Sequence, residues 1–85
     1  MQHEFEIKNL LGLHIRPARK LVELSKKYSC DVFLEKEGIR YSAKSLINVL
    51  FVGATYGDKI VLITEGEQEE EALSIIGAFL ASKIE

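Results

Sequence analysis

His14 and Arg16 stand two residues apart in "GLHIRPA", residues 12–18, beside the only proline of the chain. These residue types suit one kind of chemistry. A neutral imidazole is a nucleophile near pH 7, and a guanidinium is a planar cation that pairs with phosphate oxygens. Pro17 marks a helix start, because it surrenders an N–H that the first turn leaves unpaired and its fixed φ suits that position. The other free N–H groups of a first turn carry partial positive charge and attract anions, phosphate above all. Gly12 permits a tight approach from the segment before it. A nucleophile with preorganised positive partners for oxygens is what accepting a phosphoryl group requires. By itself, a histidine near a helix start fits equally a surface residue or a cap, and no carboxylate partner is evident. His3 is the only other histidine and Cys30 the only cysteine. No zinc spacing and no internal disulfide can therefore be built, and Cys30 reads as a small buried hydrophobe.

The elements that must position this segment follow from periodicity. The 85 residues, 47% hydrophobic, suit one domain, 1–85, with a thin core. "HEFEIK" alternates, with Phe5 and Ile7 on one face, and reads as a half-buried strand. From Ile15 the period becomes helical: Ile15, Ala18, Leu21, Val22 and Ser25 form a stripe, predicting a helix to about Lys27. "CDVFLEKEGIRYSAK" reads as two strands joined at Glu37-Gly38, with Cys30, Val32, Leu34, Tyr41 and Ala43 inward. Ser45 looks like the N-cap of a short helix, Leu46 to Phe51, stopped by Gly53. "KIVLITEG" is a strand rich in β-branched residues. The last segment is a helix with an acidic first turn and a stripe of Ala72, Leu73, Ile76, Leu80 and Ile84, with Phe79 beside it. The order β-α-β-β-α-β-α predicts an α+β, open-faced two-layer sandwich, a four-stranded antiparallel sheet with its helices on one face.

Several function classes lose ground here. The net charge of −2 is not that of a polycation for nucleic acid. The start "MQHEFEIKNL" lacks the pattern of a signal peptide, and "LINVLFVGA" is too short to span a bilayer. A cytoplasmic protein without membrane insertion is expected. The uncovered sheet face should carry Glu4, Glu6, Phe33, Val61 and Ile63, which fits scattered exposed apolar residues or a contact with a partner or second copy. Phe33 alone among carboxylates is poor support for stacking RNA bases.

The "GLHIRPA" segment closely resembles the active-site segment of the HPr family, histidine-containing phosphocarriers of the bacterial phosphoenolpyruvate-dependent sugar phosphotransferase system. "AKSLINVLFVGATYGDKI" resembles the family's segment that holds the regulatory serine, the short helix and the following turn. The likeness runs along essentially the whole chain. It implies that His14 takes a phosphoryl group on Nδ1 from phosphorylated enzyme I and passes it to sugar-specific enzyme IIA domains, with Arg16 stabilising the phosphate. It implies a carrier and not an enzyme, with no metal and no cofactor. Ser45 matches the serine that HPr kinase/phosphorylase phosphorylates in many members, and some members dock on a transcriptional regulator or serve a nitrogen-related branch. Two positions depart from the family pattern: Ile15 where alanine is common and Asn48 where glycine is common.

A carrier must dock donor and acceptor through one surface. An apolar patch of Ile15, Ile47, Leu50 and Phe51, bordered by Arg16, Arg19, Lys20, Lys26 and Lys27, is the expected partner-binding region. Core packing of Ile47, Leu50 and Phe51, and a merely solvated basic face, are the plainer alternatives. Leu46 and Val49 should fill the core. A basic rim steers acidic partners and weakens with salt. Ser45 is expected to be a cap, a regulatory phosphoserine, or both, and the protein is expected to be a monomer.

Overall fold

A computed structural model describes residues 1–82. Its elements are β1 (Gln2–Glu6), α1 (Ile15–Ser25), β2 (Asp31–Lys36), β3 (Ile39–Ser42), α2 (Leu46–Phe51), β4 (Lys59–Glu65) and α3 (Glu69–Ala81). The four strands form one antiparallel sheet in the order β1-β4-β2-β3. Inward residues of the strands (Phe5, Val32, Leu34, Ile60, Leu62) share one core with Ala18, Leu21 and Val22 of α1, Val49 of α2, and Ala72, Ile76 and Leu80 of α3. The helices therefore cover one face, as the stripes predict. Each fully buried Leu or Ile contributes about 1.5–3 kcal/mol.

Local rules account for the turns. Glu37 (φ 53°) and Gly38 (φ 80°) both take positive φ, the two-residue geometry that matches the twist of a β2–β3 hairpin. Ser45 caps α2 by accepting the Asn48 N–H at 3.3 Å, and Gly53 (φ 62°) ends that helix.

Some expectations need correction. Helix α1 ends at Ser25, where the N–H groups of Lys27 and Tyr28 turn back to Leu24 and Ser25. Ile15 lies outside the buried stripe and is exposed, because it is the first helical residue and has no preceding turn to lie over. Ile63 stands on the outer face as expected, yet it is only 2% exposed. Its cross-strand neighbours are Gln2 and Phe33, and the Arg40 guanidinium lies 5.6 Å from the Phe33 ring centre while pairing with Glu35 and Glu65, each at 3.5 Å. The outer face thus carries its own charged roof over Phe33. Ile84 falls outside the described residues.

The loop after α2 is fastened most heavily. One oxygen of Asp58 accepts the Thr55 N–H at 2.8 Å, the Thr55 hydroxyl at 3.0 Å and the Lys36 ammonium at 3.1 Å. Lys36 also donates to the Gly53 carbonyl at 3.1 Å. Backbone bonds Ile7 N–H to Asp58 O and Gly57 N–H to Ile7 O, 2.8 and 2.9 Å, sew the same loop to the end of β1.

Two predictions follow from these packing facts. The Ser25 hydroxyl is fully buried with no hydrogen-bond partner among the described residues. Ser25→Ala removes an unsatisfied group and adds helix propensity, so the urea midpoint should rise by the equivalent of about 1 kcal/mol with an unchanged slope. The Thr55 N–H, then Lys36 and the Thr55 hydroxyl, hold the Asp58 carboxyl below its ordinary value of 3.8. A depressed folded value means that this stabilisation is fully present above pH 3.8 and fades as pH falls through the folded value. The stability gap between the native protein and Asp58→Ala should therefore be constant from pH 5 to 8, as measured by urea unfolding, and shrink below about pH 4.

Candidate functional site

His14 is the N-cap of α1, with extended backbone (φ −76°, ψ −177°) and no capping bond from its side chain. The first N–H that the helix satisfies internally is that of Ala18, which donates to the His14 carbonyl at 3.0 Å. The N–H groups of Ile15 and Arg16 have no acceptor within the helix, and Pro17 has no N–H. The ring of His14 is half-buried. Its Nε2 is shut from solvent without a partner among the described residues, which leaves Nδ1 as the nitrogen that outside groups can reach. For Nδ1 to offer a lone pair, the ring carries its proton on the sheltered Nε2.

The approach to His14 is built by two loops pressed together. Leu13 donates its N–H to the Ala54 carbonyl at 3.0 Å. Gly12 has φ +68°, and a Cβ there would collide with the Ala54 carbonyl oxygen. The glycine is thus required twice, for its dihedral and for the contact, and the close approach is to Ala54 in the loop after α2. Asn9 is buried beneath, donating from its side chain to the Gly12 carbonyl at 2.9 Å, with a turn bond from Gly12 N–H to Asn9 O at 2.9 Å.

The structure settles which expected residues meet. Arg16 shares a shallow depression with Asn9, Leu10, Leu11 and His14, and borders a second one with Ile15, Arg19, Lys20 and Glu23. Ile47, Leu50 and Phe51 are exposed on α2, which packs beside α1, while Val49 is fully buried and Leu46 leans on the core. The short helix turns one side in and three apolar residues out. Lys26 and Lys27 lie beyond the last turn of α1, about 18 Å along the axis from His14, so they do not join Arg16 at the site. Arg16, Arg19, Lys20, Lys26 and Lys27 are exposed, and none is in an ion pair among the described residues.

Leu10 and Leu11 were absent from the expected surface. They are 76% and 75% exposed, the most exposed large apolar residues of the described chain. The signal was present: an apolar doublet in a short segment that continues neither the period of the strand nor that of the helix. His3 packs edge-on against Phe5, ring centres 5.0 Å apart, away from this site. Among the described residues, no group of three His, Cys, Asp or Glu side chains could hold a metal, and no helix is long and apolar enough to cross a membrane.

Comparison with known proteins agrees with this geometry. Residues 1–82 match the family model for the HPr component phosphorylation site of the phosphotransferase system. The HPr-like protein Crh of Bacillus subtilis is 33% identical over 84 residues, 99% of each chain. Phosphocarrier protein NPr of Escherichia coli is 41% identical over 78 residues, 91% of this chain and 87% of its own. The crystal structure of the phosphocarrier protein HPr of Bacillus anthracis superposes with a TM-score of 0.89 at 31% identity, covering 94% of this chain and 95% of its own. A Crh crystal structure, TM-score 0.81 at 33% identity over 100% and 98% of the two chains, is described as a domain-swapped dimer. With the α-helix start, the sheet order and the histidine segment all in place, this chain belongs to the HPr family of phosphotransferase-system phosphocarriers.

Proposed function

We propose that this protein is a phosphocarrier that takes a phosphoryl group on Nδ1 of His14 from phosphorylated enzyme I and delivers it to enzyme IIA domains. The observation that carries the reading is the His14 ring at the tip of α1, Nε2 sheltered and Nδ1 open beside Arg16. The Nδ1 lone pair attacks phosphorus, and the N–P bond forms as the bond from phosphorus to the donor breaks. The electron pair of that bond leaves with the donor. The phosphoryl oxygens meet the Arg16 guanidinium and the N–H groups of Ile15 and Arg16, which are in place before the charge arrives. Delivery is the same step reversed, and the carrier ends unchanged.

Docking uses Leu10, Leu11, Ile15, Ile47, Leu50 and Phe51 as the apolar field, with Arg16, Arg19 and Lys20 as its basic border and Lys26 and Lys27 as a more distant one. A small interface keeps release fast. Ser45 is the candidate regulatory site for HPr kinase/phosphorylase: a phosphate there adds charge to the docking face and repels an acidic donor, while the helix start tolerates it. The protein works as a single cytoplasmic domain and as a monomer. A second reading, in which docking on a regulator or a nitrogen-related branch replaces sugar transport, draws support from the similarity to Crh and NPr. Enzyme IIA partners recovered from the source cell favour transport, and a regulator alone favours the second reading.

Reconstitution with phosphoenolpyruvate and the cognate enzyme I should place an acid-labile phosphate on His14, and His14→Ala should reduce labelling to background in a folded protein. Labelling that survives His14→Ala would sink the reading. Leu10→Ser with Leu11→Ser should raise the KM for enzyme I about tenfold, the equivalent of about 1.4 kcal/mol of lost apolar contact, with the thermal midpoint unchanged within a degree or two.

A further inference from the structure

Lys36 ends β2 and Asp58 ends the 53–58 loop, and neither makes a hydrogen bond or ion pair with His14. Their bonds nevertheless converge on that loop. Lys36 grips the Gly53 carbonyl and the Asp58 carboxylate, and Asp58 grips the Thr55 N–H and hydroxyl. Ala54, between the two anchored residues, is only 6% exposed and offers its carbonyl to Leu13 N–H. Gly12 sits against the same carbonyl with no room for a Cβ. A shift of the Ala54 carbonyl must therefore move Leu13, the residue before the phosphoacceptor. The links measure 2.8–3.1 Å; the Lys36–Asp58 bond is part-buried, the other three are exposed, and three of the four converge on one Asp58 oxygen. We propose that Lys36 and Asp58 are positioning residues for phosphoryl transfer: by locking the loop on both sides of Ala54 they fix Leu13, and through it the His14 ring at the helix start. This rests on the phosphocarrier reading of His14.

The test uses phosphoramidate, a small phosphoryl donor that needs no docking surface, on the intact protein at a temperature where every variant is fully folded. Nδ1 displaces ammonia from phosphorus, one N–P bond replacing another, and the ammonia takes its proton from water. Asp58→Ala and Lys36→Met should each slow His14 labelling about tenfold and speed hydrogen exchange at the Leu13 amide. Asp58→Asn keeps an oxygen for the Thr55 donors and should recover most of the rate. Arg40→Ala, which breaks ion pairs on the far sheet face, should leave both readouts unchanged. The proposal is overturned if Asp58→Ala labels within twofold of the native rate with unaltered Leu13 exchange, or if Asp58→Asn is as slow as Asp58→Ala. Failure of the native protein itself to label would remove the phosphocarrier reading, and Leu13 exchange would still decide whether the brace exists.

Discussion

The hydrogen bond from Leu13 N–H to the Ala54 carbonyl, made against a glycine without a Cβ, is the contact on which the site depends. Two loops that leave different elements meet there, one leading into His14 and the other descending from α2. That contact adds to the packing of α1 beside α2 in tying the N-terminal turn of α1 to the patch of Ile47, Leu50 and Phe51. His14 and the exposed apolar residues of α2 thereby belong to one surface. A backbone carbonyl suits this task because it is held on both sides by its own chain, whereas a long side chain would need to be ordered first.

The distribution of apolar surface shows how a small domain divides its hydrophobic residues. One set of inward faces fills a single core that all three helices share. On the outer sheet face, Phe33 is closed over by the Arg40–Glu35–Glu65 cluster, and Ile63 beside it is 2% exposed. Around His14 the opposite holds, since Leu10, Leu11, Ile15, Ile47, Leu50 and Phe51 remain in water. Ile39 and Ile75 are exposed elsewhere, so what sets this side apart is the number of large apolar residues it leaves in water. Arg16, Arg19 and Lys20 beside them are exposed and in no ion pair among the described residues, as are Lys26 and Lys27 farther along.

The His14 ring combines two states that seldom share a side chain. Its Nε2 is withdrawn from water without a hydrogen-bond partner, a destabilising arrangement, while Nδ1 stays open. Packing, and no hydrogen-bond acceptor among the described residues, sets which ring nitrogen faces outward.

Much of this was legible in the sequence, and the reason is periodicity. The alternation of Phe5 and Ile7, the stripe Ala18-Leu21-Val22-Ser25 and the Ser45 cap are local signals, and local hydrogen bonding and side-chain spacing enforce them at once. His14, Arg16 and Pro17 were readable as a helix start because an N-terminal turn is defined within four residues. Tertiary structure alone decided the rest. Whether Ile47, Leu50 and Phe51 faced the core depended on where α1 lay beside α2. The distance of Lys26 and Lys27 from His14 depended on how far α1 ran, and the burial of Ile63 depended on register across three strands. The Lys36–Asp58 brace joins residues 22 positions apart, and no repeat in a linear chain announces such a contact, because its energy exists only once both loops are already in place.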